Sequence, residues 1–154
     1  MKVIYVDSEE IEKLLKMIVT AFDDEMFWDF RAYNDWCLRP NLSSLIQIQK
    51  EVILTSDMKK FIEDNYDQLV IFFLTTYVSN IQPSTPIRSM EDLMNSNTRF
   101  AIQVADTTEI GIYAKTDSDF SKLFDICNLL ENSKVEIIED YKYWDFNVSY
   151  IRKK

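Results

Sequence analysis

The chain has 154 residues, with 17 Lys and Arg against 26 Asp and Glu, a net charge of −9, and 47% apolar and 14% aromatic residues. Such a length and composition specify one globular domain and exclude disorder or dependence on disulfide staples. The acidity excludes nucleic acid as a direct ligand and disfavours an anionic membrane surface, because both need a basic stripe and the only basic run is Arg152-Lys153-Lys154.

In chain order, Lys2 to Val6 reads as a strand. It is followed at once by Asp7, Glu9, Glu10 and Glu12, which is unlike the basic start and long apolar core of a secretory signal. Ile11, Leu14, Leu15, Ile18 and Phe22 then form one apolar stripe at helical spacing. Asp7 or Ser8 is the expected cap, with the glutamates in the first turn, where the helix dipole favours them. Phe27 to Tyr33 reads as a strand with Trp28, Phe30 and Ala32 on one face and Asp29 and Arg31 on the other. Asn34 to Ser44 reads as irregular, broken by Pro40. Leu45 to Leu54 is ambiguous between one strand and two. Ser56 and Asp57 are the expected capping residues before a short helix with Met58, Phe61 and Ile62 inward. Leu69 to Val78 is uncharged, β-branched and aromatic, which suits a central strand covered on both faces.

Gln82-Pro83-Ser84-Thr85-Pro86 is too short to separate two domains. Ser89 caps a short helix, Met90 to Asn95, with Asp92 as a capping-box variant. Arg99 to Ala105 and Glu109 to Lys115 form a hairpin around Asp106-Thr107-Thr108. Gly111, the only glycine, lies inside the second strand and signals a bulge or the close approach of another backbone. Asp117 or Ser118 is the expected cap of a helix with Phe120, Leu123, Phe124 and Cys127 on one stripe. Val135 to Ile138 and Phe146 to Ile151 read as strands. This order gives an α+β fold in one domain, residues 1–154, with a mixed or mostly antiparallel sheet carrying about four helices mainly on one face.

Three segments also resemble a family of small uncharacterised bacterial proteins catalogued as a domain of unknown function. They are Thr85-Pro86-Ile87-Arg88-Ser89-Met90-Glu91-Asp92-Leu93-Met94-Asn95-Ser96, the hairpin from Val104-Ala105-Asp106-Thr107-Thr108-Glu109 to Ile112-Tyr113-Ala114-Lys115, and the last helix with Val135-Glu136-Ile137-Ile138. The resemblance covers mainly residues 60–140, and the N-terminal half matches in layout. It implies a bacterial cytosolic α+β domain and assigns no functional residues.

The absence of His removes Ser–His–Asp and Cys–His nucleophiles, zinc deaminase sites and Cys/His zinc fingers. A single glycine removes both the dinucleotide fingerprint and the P-loop. Asp23-Asp24-Glu25, Asp117-x-Asp119 and Glu139-Asp140 are carboxylates spaced for a divalent ion, but Mg²⁺ or Ca²⁺ needs several oxygens converging in space, which no single segment shows. Asp117 and Asp119 are better explained by a helix cap and first-turn charge. Asp140-Tyr141-Lys142 has a spacing found in metal-dependent nucleases, but a chain of net charge −9 is poorly suited to holding a polyanion. Cys37 and Cys127 have no paired spacing and read as reduced thiols. No cofactor and no metal are expected.

Two segments concentrate Trp, Tyr and acid. One is Tyr33-Asn34-Asp35-Trp36-Cys37-Leu38-Arg39 and the other Tyr141-Lys142-Tyr143-Trp144-Asp145. These residue types are enriched at interface hot spots. Trp36 and Trp144 read either as lids over the open edge of the core or as part of a partner surface. Asp23, Asp24 and Glu25 follow the first helix against its dipole, and are expected to rim the first segment. The sequence therefore points to a non-enzymatic, cytoplasmic protein-binding domain, in its most concrete form an immunity-type or inhibitory protein masking a basic partner. The expected contact residues are Tyr33, Asp35, Trp36, Arg39, Asp23, Asp24, Glu25, Tyr143 and Trp144. The alternative is a small-molecule sensor with a pocket between sheet and helices.

Overall fold

The computed structural model describes residues 1–38 and 52–146, with side chains outside 33–38. Among these, seven strands form one sheet: β1 (Val3–Asp7), β2 (Phe27–Leu38), β3 (Val52–Leu54), β4 (Leu69–Ser79), β5 (Thr98–Ala105), β6 (Glu109–Ala114) and β7 (Lys134–Ile138). The spatial order is β3-β2-β4-β5-β6-β1-β7, and every pairing is antiparallel. Four helices accompany it: α1 (Ile11–Ala21), α2 (Thr55–Asn65), α3 (Met90–Asn95) and α4 (Asp117–Cys127). The expected α+β class is the observed one, with the sheet wholly antiparallel among the described residues.

Period-two alternation sorts the strands into cross-strand rows. Leu74, Val104, Ile110, Val6 and Val135 oppose one another across five strands and all belong to, or pack on, the main core. The apolar stripes of α1, α2 and α4 close over this face through Leu14, Ile18, Met58, Ile62, Phe120 and Leu123. The other face carries a smaller core of Val3, Ala32, Tyr77, Ile87, Leu93, Ala101, Tyr113 and Trp144. α3 and the segment after β7 supply its cover, so three helices lie on one side and the fourth on the other.

The structure corrects several local expectations. β2 continues to Leu38 and pairs with β4 through Trp36↔Ile71 and Cys37↔Val70, so Asn34 to Leu38 is strand rather than irregular. Ladder hydrogen bonds to β4 outweigh the weak strand propensity of Asn34 and Asp35. Between Asp29↔Tyr77 and Tyr33↔Thr75 the register shifts, setting three β2 residues against Thr76 alone. This bulge moves Ala32 away from the face of Trp28 and Phe30 into the second core. Thr116 rather than Asp117 caps α4, its side chain accepting from the Asp119 amide. At α1 the cap position is Glu10, and the Ser8 hydroxyl accepts from the Glu10 amide at 2.9 Å. Gly111 sits in unbroken register with Gln103 and Tyr5; what approaches it is a pair of aromatic rings, not a backbone. Pro40, Arg39, Leu45 to Ile48 and Asn147 to Ile151 lie outside the described residues.

Candidate functional site: a tyrosine-walled cleft beneath the C-terminal strap

One row of the sheet organises the second face. Thr75, Gln103, Gly111, Tyr5 and Glu136 oppose one another in turn across β4, β5, β6, β1 and β7. After β7 the chain turns back over this row as a strap, residues 139–146. Its Tyr141 amide donates to the Met1 carbonyl at 2.7 Å. Trp144 inserts beside Gly111, donates its indole N–H to the Tyr77 hydroxyl at 3.2 Å, and is 8% exposed. Gln103 then holds both backbone groups of Asp145: Nε2 donates to its carbonyl at 2.9 Å and Oε1 accepts from its amide at 3.0 Å. The same Nε2 donates to Thr75 Oγ1 at 3.0 Å. A side-chain amide used on both its donor and acceptor sides fixes the strap as a neighbouring strand would.

A Cβ on Gly111 would lie 3.6 Å from Trp144 Cζ3 and 3.8 Å from Tyr141 Cε1. Alanine would therefore fill ordinary van der Waals contact, whereas any longer side chain occupies the space of the rings. The missing side chain is what lets the strap lie flat on the sheet.

Between strap and sheet edge lies a cleft of about 830 Å³. Gln103, Ala105, Gly111 and Tyr5 line its sheet side, Tyr141 and Tyr143 its strap side, and Glu109, Glu136, Asp140, Lys134 and Lys142 carry its charges. The Tyr5 hydroxyl donates to Glu109 Oε1 at 2.8 Å. Burial and then that bond push the Tyr5 phenol up to about 12. Tyr141 meets Tyr143 edge to face with ring centroids 5.8 Å apart, and Tyr143 is 83% exposed. Lys134 pairs with Glu136 at 3.7 Å and Lys142 with Asp140 at 3.4 Å, both on exposed side chains. Three carboxylates thus face two lysines, and of the tyrosines Tyr143 is open to solvent while Tyr5 and Tyr141 are half-buried.

The expected contact residues separate. Tyr143 stands at the cleft rim. Trp144 is core. By backbone register Tyr33 lies across from Thr75, in the row that the strap follows, and Asp35 and Trp36 continue β2 beyond it; Arg39 lies outside the described residues. Asp23 is exposed. Asp24 and Glu25 do not rim the Tyr33 segment. Glu25 Oε1 accepts from the Ser56 amide at 2.7 Å and so caps α2 from outside it. Asp24 accepts from Asn80 at 2.6 Å and from Arg99 at 2.7 Å, and these two donors, Asn80 first, hold its carboxyl below the ordinary value. Arg99 also forks onto Asp119 at 3.0 and 2.9 Å and lies over the Phe22 ring. The acids that oppose the α1 dipole are thus used to join α1, α2, α4 and β5.

Tyr5, Gln103, Glu109, Glu136 and Tyr141 are cleft residues that the sequence reading passed over as contacts. Gly111 was the available signal, since a lone glycine in an otherwise apolar strand marks where something lies against the sheet. Asp29, 2% exposed, receives Arg31 Nε at 3.0 Å and Nη2 at 2.8 Å, a bidentate pair that satisfies a buried carboxylate. Cys127 is buried, which raises its thiol to about 12 and leaves it unreactive at neutral pH.

Among the described residues no group of three or more His, Cys, Asp or Glu is placed to hold a metal ion, and no helix is long and apolar enough to cross a membrane. The model of one family, described as protein of unknown function (DUF2691), matches residues 4–147. The match takes in both sheet faces, the strap and the N-terminal half. No curated protein and no solved structure matches the chain.

Proposed function

The chain belongs to the DUF2691 family, and from that premise we propose a non-enzymatic, protein-binding role: an acidic domain of the bacterial cytosol, of the immunity or inhibitor type, that masks a basic site on its partner. The observation that carries this reading is the cleft rim. Tyr143, 83% exposed, stands with Tyr141 and Tyr5 among Glu109, Glu136 and Asp140. Tyrosine faces attract Lys and Arg by cation–π interaction, and adjacent carboxylates strengthen that preference. A net charge of −9 adds long-range steering toward a basic surface. Burial holds the Tyr5 and Tyr77 phenols near 12, so at neutral pH they act as hydrogen-bond groups rather than as general bases.

A photo-crosslinker in place of Tyr143 tests the proposal in the native host, with the same crosslinker at exposed Lys13 on the helical side as control. The expected result is a protein adduct specific to position 143 that forms on irradiation of cells or of a low-salt extract and fails to form when high salt is added to the extract before irradiation. Equal labelling from both positions, or none, rejects the reading. The second reading, a small-molecule sensor, draws on the cleft volume, which falls within the range of ligand sites. Its ligand would enter on the strap side, since the sheet–helix layer is filled by the main core. Native mass spectrometry of the protein purified from its host, showing a bound small molecule and no protein adduct, would favour it.

A further inference from the structure

β7 ends the sheet and, among the described residues, pairs only with β1. Its five residues therefore leave a row of outward backbone N–H and C=O groups. The strap turns inward across the open face toward Gln103 and Tyr77, so it does not run along that edge. Alternation decides what an added strand would meet. Lys134, Glu136 and Ile138 line the cleft, Val135 packs on the main core, and Ile137 is 42% exposed. A strand laid on β7 would cover Ile137 and set every second side chain along the cleft.

Charge chooses the occupant. Residues 131–142, which include the strap residues beside the cleft, carry Glu131, Glu136, Glu139 and Asp140 against Lys134 and Lys142, 2 − 4 = −2. Two copies paired edge to edge would bring together two chains each of net charge −9, which disfavours self-association. A basic strand meets the opposite situation. Resting on the protein-binding reading above, we propose that β7 receives an extended, basic segment of a partner protein as a further antiparallel or parallel strand, with a Lys or Arg side chain directed at Glu136 and Asp140.

The probe is a short, end-blocked peptide alternating arginine and valine, in three forms: unmodified, backbone N-methylated on every arginine, and N-methylated on every valine. All carry the same charge. Only alternate amides of an added strand face its neighbour, so one methylated form loses binding by more than about tenfold and the other does not, given ~0.5–1.5 kcal/mol for each lost bond. The unmodified peptide slows amide hydrogen exchange in Lys134–Ile138, and Glu136→Lys, an exposed change, weakens it. Equal binding of the two methylated forms, protection elsewhere in the molecule, or no binding overturns the proposal. A protein adduct at position 143 combined with any of those outcomes leaves the protein-binding reading standing with a different mode of contact. Peptide docking on β7 with no adduct does the reverse.

Discussion

Two buried threonines test the packing logic with one chemical change. Thr55, 2% exposed, uses its whole hydroxyl: Oγ1 accepts from the Met26 amide at 2.9 Å and from the Trp28 indole N–H at 3.0 Å, and donates to the Met26 carbonyl at 3.2 Å. Thr76, 0% exposed, sits in the helix-facing row with Ile102, Ile112, Ile4 and Ile137, and its Oγ1 has no partner among the described residues. Valine has nearly the same shape as threonine and no hydroxyl. Thr55→Val leaves two buried donors unpaired and costs about 2–6 kcal/mol, at ~1–3 kcal/mol for each. Thr76→Val removes an unpaired buried hydroxyl and stabilises by about 1 kcal/mol. In a chain of this length the first lowers Tm by roughly 4–24 °C and the second raises it by about 2–4 °C. Urea unfolding followed by tryptophan fluorescence, with thermal unfolding by circular dichroism, measures both. Shifts of the same sign and size would refute the assignment of partners at the two sites.

The β5–β6 turn places Asp106 at φ 56° and Thr107 at φ 65°. A left-handed β-branched residue is strained by about 1–2 kcal/mol, partly offset in a glycine by its larger unfolded-state entropy. Thr107→Gly therefore raises stability by about 0.5–1 kcal/mol, checked by the urea midpoint. At Gly111, alanine leaves stability and strap placement unchanged, while leucine displaces Trp144. The signature of displacement is a red-shifted tryptophan emission together with faster amide exchange at Tyr141. Asp24 has a lowered carboxyl pKa in the fold, so its contribution is present above the ordinary value of 3.8 and is lost as pH falls through the lower folded value. Asp24→Asn is expected to flatten the acid limb of a stability-against-pH curve below about pH 4 by a modest amount, because the group is half exposed. An unchanged limb would remove the Asn80 and Arg99 contacts as its cause.

The elements legible in the sequence were those with a strong period. The Ile11-to-Phe22 stripe, the uncharged run Leu69 to Val78 and the Ser89 cap all fixed their own local structure. The end of β2 was not legible, because Asn34, Asp35 and Trp36 form strand only through pairing with β4, a contact between residues far apart in sequence. The roles of Asp24 and Glu25 were hidden for the same reason: one is set by Arg99 and Asn80, the other by the N-terminus of α2. The site was half visible. Tyr143 and Gly111 were singled out, one for its residue type and the other for its oddness. Tyr5, Glu109 and Glu136 looked like ordinary strand residues, since a cross-strand row draws each member from a different segment of the chain.

The central claim is that this domain recognises a basic partner through charge and tyrosine faces. The direct measurement is the association rate of the adduct partner from position 143, taken from about 0.01 M to about 1 M salt, over which the Debye length falls from about 30 to about 3 Å. The rate is expected to fall by more than about tenfold across that range, and to fall less steeply in a variant carrying Glu136→Gln and Asp140→Asn. A rate that stays flat with salt in both proteins would contradict it.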